Sequence, residues 1–134
     1  MGNALSYLLD THIFLWYING DIRLNDKYRK IIENTRNDIY VSVISFWEII
    51  IKSKLGKIEI PSPIFSYLNE KRKLHQIDII DFESTSLPCL EELQAIHKDP
   101  FDRLLICQAM HYELILITDD AIIFKYPVKV VDQN

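Results

Sequence analysis

The stretch DPFDRLLICQAMHYELILITDD, residues 99–120, holds a helix, a turn and a buried strand in one run. Asp99 is a good N-cap, Pro100 suits the first helical position, and Asp102 falls at the third. The spacing predicts a helix over Pro100–Tyr112. Leu114–Ile117 follows at once as a short apolar strand of the kind covered on both faces. A helix feeding directly into a buried strand is a building unit of an α/β fold. This strand ends on Thr118, Asp119 and Asp120.

Upstream, Ser6–Leu9 is a short apolar run ending at Asp10 and reads as the first strand. Helical spacing continues through Ile13, Trp16 and Tyr17 until Gly20 stops it. Asn25–Asn34 reads as a second helix, charged on one side, and the β-branched Ile39–Val43 as the second strand. Ser45 opens a helix to about Leu55, with Gly56 as its stop. Pro61 and Pro63 introduce another, which carries Ile64, Phe65 and Leu68 and ends in Lys71-Arg72-Lys73. Gln76–Ile80 is predicted as strand three, Ser86–Leu93 as a helix despite Pro88, and Val128–Val131 as a final strand. Strands alternating with helices point to the α/β class, a parallel sheet between two helical layers. No repeat, low-complexity stretch or linker interrupts it, so one domain over residues 1–134 is expected.

The composition agrees with a folded chain: 134 residues, 49% hydrophobic and 25% charged, with 3 Gly and 5 Pro. No apolar run reaches the ~18 residues that a membrane span requires. The start, MGNALSYLLDTH, has no positive charge before its apolar part and no cleavage pattern, so no signal peptide is expected. Cys89 and Cys107 have no metal-type spacing and suggest no disulfide framework. A cytoplasmic location is the expectation. Net charge is −4, which on its face disfavours a nucleic-acid partner. Setting aside Asp10, Glu48, Asp102 and Asp120 leaves the other acids equal in number to the 15 Lys and Arg. Bulk charge therefore neither supports nor excludes RNA.

Those four acids are the candidate site. In a parallel α/β sheet, strand C-termini and helix N-termini share an edge, where ligands bind near a topological switch point. Asp10 follows strand one, and Glu48 is expected in the first turn of the helix after strand two. Asp102 lies in the first turn of the helix before strand four, and Asp120 just past that strand. Each also has a purely structural reading. Ser45 and Glu48 match a capping box, and Glu48 can pair with Lys52. Asp102 favours its helix N-terminus, Asp120 that of a short helix from Ala121, and Asp10 can cap Thr11–Tyr17.

Together they are harder to dismiss. Glu48 lies within Phe46-Trp47-Glu48-Ile49-Ile50-Ile51, and Asp10 follows Tyr7-Leu8-Leu9. A carboxylate in such surroundings must be paired, protonated or bound to metal. Acids in near contact raise one another's pKa, and a divalent cation removes that penalty. The histidines 12, 75, 97 and 111 are scattered without zinc-type spacing, so an oxygen-only set suits Mg²⁺ or Mn²⁺. His12 is expected to face the groove, and His97 to orient Asp99. Thr11, Ser45 and Thr118 sit beside the acids and can hold a carboxylate or a water, although helix capping would also explain them.

Leu8-Leu9-Asp10-Thr11-His12, Ser45-Phe46-Trp47-Glu48-Ile49-Ile50-Ile51-Lys52, Asp99-Pro100-Phe101-Asp102-Arg103-Leu104-Leu105-Ile106 and Leu116-Ile117-Thr118-Asp119-Asp120 together resemble the PIN-domain family. Their order and spacing are similar to the VapC-like toxins of bacterial toxin–antitoxin pairs, over nearly the whole chain. The resemblance implies a three-layer α/β/α fold and a Mg²⁺- or Mn²⁺-dependent ribonuclease leaving 5′-phosphate and 3′-hydroxyl ends. It implies Asp10, Glu48 and Asp102 as core acids and Asp120 as the fourth, with Asp119 an unusual extra neighbour. It also implies a homodimer and a cognate antitoxin protein lying in the groove.

Lys52, Lys54, Lys57, Lys71, Arg72 and Lys73 are candidates for phosphate contacts, although most suit solvated helix faces. Trp47 and Phe101 are expected to pack in the core, while Trp16 fits either core or base stacking. Ile64–Leu68 fits a groove wall, a dimer contact or a core helix. Cys107 is expected in the core. A haloacid-dehalogenase-like phosphatase would need a second Asp at the position of His12, and a receiver domain would need an acidic pair after strand one. The alternative to an enzyme is a PIN-like scaffold that binds RNA or protein with a silent site.

Overall fold

The structure, a computed structural model, describes residues 5–132. The first four residues of the stretch read for a signal peptide, and the last two of the expected 1–134 domain, lie outside it. The elements run β1 (Ser6–Leu9), α1 (Thr11–Asn19), α2 (Asp26–Glu33), β2 (Asp38–Ser42), α3 (Val43–Lys54), α4 (Ile64–Leu74), β3 (Asp78–Ile80), α5 (Leu87–Glu92), α6 (Pro100–His111) and β4 (Ile115–Ile117). Short 3₁₀ turns occupy Ser84–Ser86 and Ile123–Lys125.

The four strands are all parallel, in the order β3-β2-β1-β4. The chain builds outward from β1 to β3, then crosses back to place β4 on the other side of β1. The switch point therefore falls between β1 and β4. Side chains alternate across the sheet as the two-residue strand period requires. Tyr7, Leu9, Ile39, Val41 and Ile117 face a core completed by Ile13, Phe14, Tyr28, Phe46 and Leu68 from α1 to α4. Leu8 and Leu116 face a second core with Leu105, Ile106 and Ala109 of α6 and Tyr126. The result is a three-layer α/β/α architecture. Cys107 is fully buried.

Helix ends explain where the structure departs from expectation. Gly20 and Gly56 close α1 and α3 at positive φ, 62° and 75°. Asp21 N–H reaches back to Trp16 O and Lys57 N–H to Lys52 O, both at 2.9 Å, the αL closure that glycine favours. The same closure uses Gln76 (φ 58°) after α4 and Glu113 (φ 56°) after α6. Ile77 N–H donates to Arg72 O and Leu114 N–H to Ala109 O, each at 2.8 Å. Residues committed to these closures cannot start a strand, so β3 begins at Asp78 and not Gln76, and β4 at Ile115 and not Leu114.

Helix α3 starts two residues earlier than Ser45. Its cap is Ser42, whose hydroxyl accepts the Ile44 N–H at 3.0 Å. The expected capping box at Ser45 and Glu48 is therefore absent, and Glu48 sits in the second turn. The stretch Ser86–Leu93 is split into a 3₁₀ turn and the short α5. The predicted strand Val128–Val131 is reduced to one bridge, Leu116 to Val130, flanked by Leu116 N–H to Lys129 O and Val131 N–H to Leu116 O.

Candidate active site

Asp10 leaves the end of β1, next to the switch point, as the N-cap of α1. One carboxylate oxygen accepts the Thr11 N–H at 2.8 Å and the other the Thr118 hydroxyl at 2.7 Å. Thr118, buried just past β4, also accepts the Asp120 N–H at 3.1 Å. One hydroxyl thus ties the acid of the central strand to the backbone that carries Asp120.

Glu48 approaches from α3 and is only 2% exposed. Its Oε1 lies 2.7 Å from Thr11 Oγ1, which is 2.8 Å from Ser45 Oγ. A carboxylate can only accept, so Thr11 gives its single hydrogen to Glu48 and receives that of Ser45. The other oxygen of Glu48 holds the Lys52 ammonium one turn later. Burial lowers the Lys52 pKa, but the hydrogen bond and charge of Glu48 outweigh it and leave the pKa above its ordinary value.

Asp102, at the third position of α6, and Asp120 meet across His97. His97 Nε2 lies 2.7 Å from Asp120 Oδ2 and 3.1 Å from Asp102 Oδ2. These three residues can bring ligand atoms within 4.8 Å of one another. Asp120 also accepts the Ile122 N–H at 2.9 Å, which turns the loop after β4 inward. Asp119 is exposed at the lip. A cleft of about 330 Å³ opens between Asp10, His12, Trp16, Asp102, Asp119 and Asp120. Glu48 stands behind that wall and does not line it.

The four predicted acids therefore converge, three on the cleft and one behind it, with Thr11, Ser45 and Thr118 as their hydrogen-bond partners. Convergence has an electrostatic cost. Burial, then the charges of Asp10, Asp99, Glu48 and Asp120, push Asp102 up to about 8. Burial also raises Asp10, against the hydrogen bonds from Thr118 and Thr11, with Glu48 adding to the rise. A cluster that cannot stay ionised alone and offers carboxylate oxygens around an open cleft fits a hard divalent cation.

His97 is the participant that sequence reasoning missed. It was expected only to orient Asp99, and it does accept the Asp99 N–H on Nδ1 at 3.1 Å. Its other nitrogen reaches the acids because the loop before α6 folds it inward. The one available signal was its place two residues before an N-cap that itself precedes a site acid. Trp47 is a correction: it is 51% exposed and packs edge-to-face on Phe101 at 5.1 Å instead of entering the core. Trp16 lies on the cleft. Of the basic residues, Lys52 reaches the site, Arg72 bonds Asn69 and Ile77 O, and Lys71 covers the Tyr67 ring. In α4, Leu68 is buried and Ile64 packs beside it, whereas Phe65 is half exposed.

A family model for the PIN domain matches residues 7–129. Among solved structures, the chain is similar to VapBC2 from Rickettsia felis bound to a fragment of its promoter DNA. The TM-score is 0.70 at 21% identity, covering 95% of this chain and 98% of that one. DNA-bound VapBC from Salmonella typhimurium gives 0.66 at 16% identity, over 97% and 99%. FitAcB from Neisseria gonorrhoeae gives 0.63 at 19%, over 95% and 97%. At these identities the likeness is one of fold. Comparison with curated proteins gives no match.

Proposed function

The chain belongs to the PIN domain family, and from that membership we propose that it is a divalent-metal-dependent endoribonuclease, the toxin of a toxin–antitoxin pair. The observation that carries this reading is the acid cluster at the β1–β4 switch point, with Asp102 driven up to about 8 beside an open cleft. An ion of the Mg²⁺ or Mn²⁺ type, held by Asp10, Asp102 and Asp120, would supply Lewis acidity toward water and the phosphate oxygens.

The residues divide the remaining work. Asp10, Asp102 and Asp120 face the cleft and would hold the ion. Asp10 is kept in place by Thr11 N–H and Thr118 Oγ1, so its free lone pairs are aimed before any ligand arrives. Glu48, behind them, has its oxygens on Thr11 Oγ1 and Lys52 Nζ and would act through those two groups at the edge of the site. Asp119, exposed at the lip, sits where it would meet solvent or substrate. Trp16 and the Trp47–Phe101 pair offer aromatic faces to bases beside the scissile phosphate.

Partners follow from the same reading. Some of the solved relatives are toxin–antitoxin complexes, which supports a cognate antitoxin for this chain, and the family resemblance supports a homodimer. No helix among the described residues is long and apolar enough to cross a membrane, and a cytoplasmic, single-domain protein over 1–134 fits the proposal. The test is cleavage of single-stranded RNA by the purified chain. Activity should stop with EDTA, return with Mn²⁺ or Mg²⁺, and be lost in Asp10→Asn. Undiminished cutting by that variant would sink the assignment.

A further inference from the structure

We propose that His97 is a positioning residue, one that gives a hydrogen from Nε2 to Asp120 beside Asp102 and does not itself ligate the ion. The inference rests on the metal-dependent reading above and assigns a role to a residue which that reading leaves unused.

His97 is held at both its backbone and its ring. Its backbone N–H donates to Tyr126 Oη at 2.7 Å, and that hydroxyl donates to Gln94 O at 2.8 Å. Tyr126 is itself anchored in the core beneath α6. The ring is fixed independently, because Asp99 N–H points at Nδ1 from 3.1 Å. A backbone amide can only donate, so Nδ1 presents its lone pair and the ring hydrogen is on Nε2. That hydrogen goes to Asp120 Oδ2 at 2.7 Å, and Asp102 Oδ2 lies 3.1 Å from the same nitrogen. One nitrogen thus stands against two carboxylates from different parts of the chain, bonded to Asp120 and in close contact with Asp102.

The cluster of His97, Asp102 and Asp120 otherwise looks like a three-ligand site. For Nε2 to bind a metal, the ring hydrogen would have to move to Nδ1, where it would meet the Asp99 N–H head-on. Asp99 cannot turn aside freely, since its carboxylate caps α6 through the Phe101 N–H at 2.9 Å. The histidine is therefore locked as a donor by the same residue that starts the helix carrying Asp102. The ligand set stays oxygen-only, and His97 fixes the angle at which Asp120 presents its remaining lone pairs beside Asp102. Hydrogen bonds that orient ligating carboxylates typically matter tenfold or more in metal affinity.

Two measurements test this. Nitrogen-15 spectra of imidazole-labelled full-length protein without metal should show His97 with an unprotonated Nδ1 and a protonated Nε2. The reverse pattern would overturn the proposal whatever the enzyme does. Calorimetric titrations with Mg²⁺ and Co²⁺ then compare wild type, His97→Leu and His97→Gln, the last keeping an amide donor where Nε2 stands. The donor role predicts that Leu weakens both ions by a similar factor of about ten and that Gln restores most of it. A ligand role predicts that Co²⁺ suffers far more than Mg²⁺, because nitrogen ligation favours the later metal, and that Gln rescues neither. Unchanged affinity in His97→Leu would also refute the proposal. If wild type binds neither ion, the metal-dependent reading fails, while the nitrogen spectra still decide the donor assignment.

Discussion

Asp102→Asn should stabilise the metal-free protein, by an amount that grows as pH rises above about 4. In the folded chain Asp102 is pushed to about 8, by burial and then by the charges of Asp10, Asp99, Glu48 and Asp120; an unfolded Asp titrates near ~3.9. Between those values the folded state holds the extra proton, so stability falls as pH rises through the window. The whole shift corresponds to about 6 kcal/mol. Burial raises Asp10 as well, and its charge is one of those that raise Asp102, so the two titrate together. Taking half for Asp102 leaves about 2–3 kcal/mol, or roughly 10 °C in Tm for a chain of this size. Asparagine keeps an oxygen toward His97 Nε2 and cannot ionise. Thermal unfolding in EDTA near pH 8.5 should show the variant more stable by that amount, and at pH ~4, where the unfolded Asp is itself half protonated, the gap should close. Saturating Mn²⁺ should then raise wild type well above its metal-free value and the variant much less. An equal gap at both pH values, or none near pH 8.5, would refute the electrostatic account of the cluster.

Ser42→Ala should cost about 1 kcal/mol in denaturant unfolding, the loss of the hydroxyl that accepts the Ile44 N–H; an unchanged midpoint would return the cap of α3 to Ser45. Burial, then contact with Cys89, pushes the Cys107 thiol up to about 12, while Cys89 is partly exposed. Mass spectrometry after mild alkylation should therefore find Cys89 modified and Cys107 untouched until the chain is unfolded. Equal labelling of both in the folded protein would contradict the buried position of Cys107.

The legible parts of this fold are those with a local chemical signal. Gly20 and Gly56 announce their helix ends because left-handed backbone suits a residue without Cβ. Gln76 and Glu113 do the same task with no such signal, and the starts of β3 and β4 were misplaced accordingly. Asp99-Pro100 marks its helix start plainly, whereas Ser42 and Ser45 are equally good caps on paper. Only packing chose between them, by sending Ile44 to one core and Phe46 to the other. The acids were readable as a set because strand ends and helix starts share a rim. His97 was not, since its contact with Asp120 depends on the path of a loop and on a tyrosine 29 residues away.

The central place of β1 has a consequence for the order of assembly. Its partners are β2 and the much later β4, and the hydroxyl that steadies Asp10 comes from Thr118, 108 residues further on. During synthesis the first acid is made almost at once, yet it has no finished surroundings until the last strand can dock beside it. Any chain cut short before Thr118 lacks both that hydroxyl and Asp120, however well its earlier helices form. Such distant pairing also slows folding. The acid cluster is therefore completed late and all together, and a chain cut short before Thr118 cannot form it.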